Sequence, residues 1–423
     1  MNPDLRRYSD LIRQHIYRDF TGMLRAPAGT LKYPFVVPGS KQYSDQLWDW
    51  DSWWTTIALY QIAEDLGDQE QATLIRDHAR GCVLNFLEIG NWDGWIPYIL
   101  TAGQLQRPAD IYQSNMHKPC LAQQAAFLVQ RDDGEAGWLR DRFYALQAFV
   151  NNYYAHHRHA PTGLYFWQDD VAIGGDNDPC VYRRPARSCG PVFLNAMMYR
   201  ELLAMVYLAE QLNLCEIAAS YRKDAAQLQA AMQEHQWDPW LGFYFNVDLN
   251  VADEKRPGAW EHIHEGAVRK WDCLIQRIGI WSGFLPMWAG VANQAQAERM
   301  LKYYYDEQTF ACPAGVRTLS KQEKMYDVRA TGNPSSWLGP VWGIVNYMVF
   351  RGFVRYRMDE AAADLAAKTI RLFGRDYERF GALHEYYQPE NGEPILNPGF
   401  QNWNLLVLNM IRWLEKRESV EEF

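Results

Sequence analysis

Apolar residues recur along most of the chain at three- and four-residue steps, the period of an α-helix that turns one face to a core. Phe400, Trp403, Val407, Met410 and Leu414 make one such face, and Ala362, Leu365, Thr369, Ile370 and Phe373 make another. Comparable amphipathic stretches run over 3–19, 51–66, 69–88, 117–130, 135–157, 192–213, 215–235, 273–289, 293–305 and 338–357, so twelve helices are predicted. The stretch 239–271, with Phe243-Tyr-Phe-Asn-Val and then Pro257-Gly-Ala-Trp, interrupts the pattern and predicts a non-helical insertion or lid.

A short turn, Gly followed by two mostly apolar residues, returns at Gly22, Gly94, Gly163, Gly242, Gly315 and Gly381, at spacings of 72, 69, 79, 73 and 66 residues. Each interval has the length of two helices and their connections. Six helical hairpins that leave no terminal edge unpaired close most naturally into an all-α (α/α)6 barrel with an inner and an outer ring. The near-even spacing favours one domain over 1–423.

Lys plus Arg number 42 against 51 Asp plus Glu, a formal charge of −9, and no basic run is present, which argues against a nucleic-acid partner. Met1-Asn-Pro-Asp-Leu-Arg-Arg-Tyr lacks the apolar stretch of a signal peptide, and no uninterrupted apolar run approaches bilayer length. A soluble, cytoplasmic protein without a membrane partner is expected. The seven cysteines (82, 120, 180, 189, 215, 273 and 312) show no Cys-x-x-Cys spacing and predict buried thiols rather than disulfides or a zinc site. His156, His157 and His159 do not share one helical face and predict a solvated helix end, so neither metal nor cofactor is expected. Nothing in the sequence fixes an oligomeric state.

Aromatic content changes the picture. The chain has 18 Trp, 25 Tyr and 18 Phe, many in polar, Gly- and Pro-punctuated segments beside carboxylates, where rings can stack on the apolar face of a pyranose. Trp271, Trp281 and Trp288 read as core. The other segments are Tyr43-Ser-Asp-Gln-Leu-Trp-Asp-Trp-Asp, Tyr112-Gln-Ser-Asn-Met-His-Lys, Trp167 through Pro179, Asn333 through Trp342, and His384-Glu-Tyr-Tyr-Gln-Pro-Glu-Asn-Gly. Each lies between a Gly turn and the next helix, so all five should emerge at one end of the barrel. Glycoside cleavage needs two carboxyls flanking the bond, and these loops supply them. Asp169 and Asp170 compete with Asp176 as the acid; Asp176, in a Gly-bounded turn, is favoured.

Trp48-Asp-Trp-Asp-Ser-Trp, Gly175-Asp-Asn-Asp-Pro, Gly339-Pro-Val-Trp and His384-Glu-Tyr-Tyr-Gln-Pro-Glu-Asn-Gly resemble, in order and spacing, the motif set of glycoside hydrolase family 63, with a looser likeness to the family 37 trehalases. The resemblance implies an (α/α)6 barrel and an inverting hydrolase of α-glucosides or α-mannosides. Carried over, Asp176 is the general acid and Glu385 the base, Asp51 binds sugar hydroxyls, and Trp48 and Gln113 line that subsite. Tyr43, Trp50, Trp337, Gly339, Trp342 and Tyr387 complete the expected substrate contacts. The chain departs from the family's aromatic-Trp-Arg-Gly motif, having Ser336-Trp337-Leu338-Gly339 and so losing an acceptor-side arginine. Its length resembles that of the short bacterial members, which include hydrolases of glucosylglycerate and mannosylglycerate. A carboxylate-bearing aglycone calls for a cation, for which Lys118, Arg183, Arg184 and Arg187 are candidates, although surface solvation suits each arginine better.

Four rivals stand beside this reading. A terpene-cyclase toroid needs Asp-Asp-x-x-Asp, which fails at Asp169-Asp170 (Ile173) and at Asp132-Asp133 (Ala136). Unsaturated-glucuronyl hydrolases and lyases favour a more basic cleft. A trehalase-like enzyme or a non-catalytic sugar-binding toroid remains the alternative.

Overall fold

The computed structural model describes residues 2–90, 93–105, 107–251, 272–329 and 335–423. Residues 252–271 of the expected insertion lie outside them, Trp271 included, as do Asn333 and Pro334. Among the described residues there are twelve α-helices. They are α1 (Pro3–Asp19), α2 (Asp49–Leu66), α3 (Gln69–Ile89), α4 (Leu121–Arg131), α5 (Phe143–His156) and α6 (Val192–Gln211), then α7 (Cys215–His235), α8 (Leu285–Ala289), α9 (Gln294–Tyr305), α10 (Gly343–Arg355), α11 (Asp359–Phe380) and α12 (Val407–Lys416).

Some predicted helices are shorter than their apolar pattern. The stretch 273–289 forms a strand at Leu274–Ile275, a 3-10 turn at Trp281–Phe284 and only then α8. Leu274–Ile275 pairs with Val247–Asp248, and Gly283 and Pro286 interrupt the helical ladder. Residues 137–142 are likewise a 3-10 turn before α5, and 402–406 one before α12. The described part of the expected insertion, 239–251, is non-helical. Phe243–Tyr244 pairs with Trp237–Asp238, and Phe243, Phe245 and Val247 are core residues.

The even-numbered helices form the inner ring: α2 packs on α4, α4 on α6, α6 on α8, α8 on α10, α10 on α12 and α12 back on α2. Composition decides which helices go inside. Trp50, Trp53, Trp54, Ile57, Leu59 and Ile62 bury nearly the whole circumference of α2, and α6 and α10 are similarly apolar all round. By contrast α1, α7 and α11 bury one stripe and leave the other face to solvent. By length and composition α6 could cross a membrane, although Asn195, Arg200, Glu201 and Glu210 interrupt its apolar run; here it is a ring helix, most of it buried.

Polar groups inside the ring are matched to backbone. Glu201 of α6 accepts from the amides of Ala122 (2.7 Å) and Gln123 (3.1 Å) at the start of α4, where the helix dipole favours an anion. Burial nevertheless pushes its carboxyl up to about 8. Five cysteines are buried as expected, whereas Cys215 is exposed and Cys273 half-buried. His157 is fully buried, not solvated, and loss of water holds its imidazole down at about 3.

Close approach of outer and inner parts is set at Gly81 of α3, where an added Cβ would lie 1.9 Å from the Pro34 carbonyl oxygen. Backbone cannot yield as a side chain does. Gly81→Ala is expected to cost about 1 to 3 kcal/mol of folding free energy, the range of overpacked cores, read as a lowered urea midpoint at unchanged slope. An unshifted midpoint contradicts the packing.

Candidate active site

Each of five loops enters an inner helix from the same end: 43–48 before α2, 112–118 before α4, 167–190 before α6, 335–342 before α10 and 384–403 before α12. Short ribbons tie them together. Leu47–Trp48 pairs antiparallel with Ile99–Leu100, and Val341–Trp342 with Tyr386–Tyr387. Between the loops lies a pocket of about 110 Å3 lined by Tyr43, Trp48, Trp50, Asp51, Lys118, Asp176, Trp337, Trp342, Glu385, Phe400 and Trp403, together with Ala172, Gly174 and Ser335.

Among the described residues, three carboxyls face this space. Asp51, in the first turn of α2 and 7% exposed, accepts from Asn402 Nδ2 at 2.5 Å, and Asn402 in turn accepts from Thr55 Oγ1 at 2.9 Å. Burial, reinforced by nearby Asp49 and Glu385 and opposed by Lys118, pushes the Asp51 carboxyl up to about 8. Glu385, 5% exposed, accepts from Tyr43 Oη at 3.2 Å on Oε1 and from Asn397 Nδ2 on Oε2. Burial, aided by the charge of Asp176, raises it to about 7. Asp176 is half-buried, whereas a general acid that must hold its proton is expected to be the drier partner; here Glu385, on the ribbon-anchored loop near Tyr43 and Phe400, is the drier of the two.

The walls are aromatic. Tyr386, Trp342 and Trp337 stack in sequence, with centroids 4.8 Å and 4.2 Å apart, and Trp281 continues the stack at 5.9 Å. Trp281 therefore flanks the wall and a small adjoining hollow with Asp178 and Ser282, rather than serving only as core. Asn177, at φ +53°, accepts the Trp337 amide at 3.0 Å, fastening the loop of Asp176 to this wall. Trp50 crosses Trp403 at 4.9 Å on the other side.

Of the residues expected from sequence, Tyr43, Trp48, Trp50, Asp51, Lys118, Asp176, Trp337, Trp342 and Glu385 come together. Gln113, Gly339 and Tyr387 do not. Gln113 is exposed and bonded to Asp110 in a short 3-10 turn. Gly339, at φ +135°, is pressed beneath the Tyr326 ring. Tyr387 is buried behind the loop and donates to Asp376 at 2.7 Å. Asp169 accepts from Asn115 at 2.9 Å and lies outside the pocket lining, as does Asp170. Arg184 pairs with Asp248 and Arg187 with Gln168; neither these nor the exposed Arg183 lines the pocket. Sequence reasoning missed Asn397 and Asn402, and gave Phe400 and Trp403 to a helix face. The signal was there in Asn397-Pro-Gly-Phe-Gln-Asn-Trp-Asn, amides interleaved with aromatics just before α12.

An (α/α)6 barrel whose loop end holds several carboxyls in one aromatic pocket has the architecture of a glycoside hydrolase. Residues 44–403 match the mannosylglycerate hydrolase MGH1-like glycoside hydrolase domain, and the chain belongs to that family. It is 23% identical over 410 residues to human trehalase, covering 85% of this chain and 62% of that protein. A mannosylglycerate hydrolase of Thermus thermophilus is 27% identical over 235 residues, 53% of this chain and 45% of that protein. The chain thus spans less than two thirds of these relatives. Among solved structures, a family 63 mannosylglycerate hydrolase from Thermus thermophilus in complex with Tris and D-glycerate aligns over 95% of this chain and 99% of that one, at TM-score 0.65 and 20% identity. A neutral trehalase from Saccharomyces cerevisiae aligns over 92% and 76%, at TM-score 0.60 and 15% identity.

The raised Asp51 carboxyl carries a stability consequence. In the unfolded chain an aspartate titrates near pH 4, so below that pH both states hold the proton and there is no penalty. As pH climbs towards about 8 the folded state alone resists ionisation, and stability is lost. Asp51→Asn should therefore raise the melting temperature at pH 8, with a gain that shrinks towards pH 4.5. An equal shift at both pH values contradicts the assignment.

Proposed function

We propose that the protein hydrolyses a small α-linked glucoside or mannoside with inversion, Asp176 giving a proton to the departing oxygen and Glu385 activating water on the opposite face. The single observation that carries this is the coupling of two carboxyls across one pocket, one of them raised to about 7 by burial and by the charge of the other. Glu385 therefore exchanges its proton near neutrality while lying close enough to Asp176 to feel its charge, a setting in which one carboxyl can serve as acid and the other as base. In this reading the charge of Glu385 and the closing of a sugar over Asp176 keep the acid protonated. Tyr43 and Asn397, both hydrogen-bonded to Glu385, orient the base. Asp51 accepts from ring hydroxyls, contacts that strengthen as positive charge develops at the anomeric centre.

The family match supports mannosylglycerate as substrate, with glucosylglycerate its near analogue. A second reading, trehalose or another uncharged α-glucosyl disaccharide, is favoured by one observation: Lys118 is the sole cation among the described lining residues, and it is paired with Asp49. A release assay over mannosylglycerate, glucosylglycerate and trehalose separates the two, and no release from any α-glycoside contradicts both.

Two further measurements test the mechanism. NMR of the first-released sugar should show the β-anomer before mutarotation; an α-anomer rejects inversion. An α-glycosyl fluoride needs no proton on its leaving group, so Asp176→Asn should keep most activity on the fluoride while losing at least about a hundredfold on the natural linkage, and Glu385→Gln should lose both. The opposite pattern exchanges the two roles.

A further inference from the structure

Lys118 was expected to meet an anionic aglycone, but it lies at the pocket floor with 2% of its side chain exposed and Asp49 wholly buried beside it. Its ammonium is 3.0 Å from both Asp49 oxygens, and its own backbone amide donates to Asp49 Oδ2 at 2.8 Å. Asp49 Oδ1 also accepts the Trp50 amide at 2.7 Å. The pair therefore fixes the first turn of α2, one residue of which is Asp51. The lysine stem reaches the other side as well. A Cβ on Gly174, at φ +86°, would lie 2.7 Å from Lys118 Cε and 3.3 Å from Trp50, so the turn leading to Asp176 rests on this side chain.

We propose that Lys118, locked onto Asp49, is the positioning residue that sets the charge state of Asp51 and seats the loop of Asp176. Two buried carboxyls two residues apart on α2 repel strongly in a dry site, and the ammonium bound to Asp49 is the positive charge that also acts on Asp51. The charged and titratable groups facing Asp51 are Asp49 on its own helix, Lys118 and Cys120 at the start of α4, Tyr43 before α2 and Glu385 before α12. Tyr43 and Asp176 face Glu385. His117, next to Lys118, is held down at about 4 by burial and adds no charge. Cys120 is pushed well up and stays a thiol. Lys118 thus provides the cationic charge at this floor.

The role rests on the proposed hydrolytic site, but its test does not need turnover. The chain is labelled with aspartate carrying 13C at the side-chain carboxyl, and the Asp51 resonance is identified by its loss in Asp51→Asn. In the unmodified chain it should titrate near pH 8. In Lys118→Met, which keeps the stem and removes the charge, the midpoint should rise by at least one pH unit. In Asp49→Asn/Lys118→Met, which removes both charges and remains foldable where the single variant is not, it should return to within about half a unit of the original. Lys118→Arg should leave it near the original value. An unmoved midpoint in Lys118→Met, or a double variant displaced as far as the single one, overturns the proposal. Where hydrolysis is measurable, the acid limb of the kcat/KM profile should move in the same sense for Lys118→Met. Absence of hydrolysis in the unmodified chain counts against the hydrolase reading and leaves the resonance test intact.

Discussion

The structure turns on packing carboxyls into a small space with little water. At the interior dielectric, like charges a few ångströms apart repel by several kcal/mol, and burial alone penalises each ionised form. Asp51 and Glu385 carry that penalty visibly, in carboxyls raised to about 8 and about 7. What offsets it is narrow: the ammonium of Lys118, the amides of Asn402 and Asn397, the Tyr43 hydroxyl, and the amino end of α2. The two asparagines lie in one loop before α12, so that single loop neutralises part of the charge brought in by α2.

A charged pocket of this kind collapses or fills with water unless its walls are rigid, and the walls are aromatic stacks rather than mobile loops. Trp337 lies flat on Trp342, at an interplanar angle of 14°, and Trp342 on Tyr386 at 17°. The Trp342 indole donates to the Ser336 carbonyl at 2.9 Å, so it satisfies its polar atom while presenting its face. Through Asn177 the same wall holds the Asp176 turn. The Asp176 loop, the wall and the Glu385 loop are therefore one assembly, because the strand that carries Trp342 pairs with the one that follows Glu385.

Ring architecture was legible because it rests on periodicity. Apolar faces repeat every three or four residues, and Gly turns return about every seventy, which together fix helix number and hairpin order. Helix limits were less so. Residues 273–284 have helical spacing, but Leu274–Ile275 completes a sheet with Val247–Asp248 and Cys189–Gly190, a partnership no local pattern encodes. In the site, motif residues near inner-helix starts came together, since those starts converge. Gln113 and Tyr387 failed because orientation inside a loop depends on nearby polar partners: Asp110 for one, Asp376 for the other. Lys118 was found at the pocket, yet its charge is spent on Asp49, two residues before Asp51 and invisible as a partner from spacing alone.

The ring and the loops answer to different demands. The ring must bring six helix starts to one end, which any sufficiently apolar set of inner helices does; this is why barrels sharing about a fifth of their residues align over nearly the whole chain. The placement of Asp51 follows from the ring, because it and its neighbours sit in or against the first turn of α2. The placement of segments such as 335–342 does not, because it is set by stacking and by Gly339 under Tyr326. That segment carries Leu338, which is itself buried, and no cation. Such a segment can therefore vary without disturbing the electrostatics of the carboxyl cluster, because its position depends on packing and not on the charges at the start of α2.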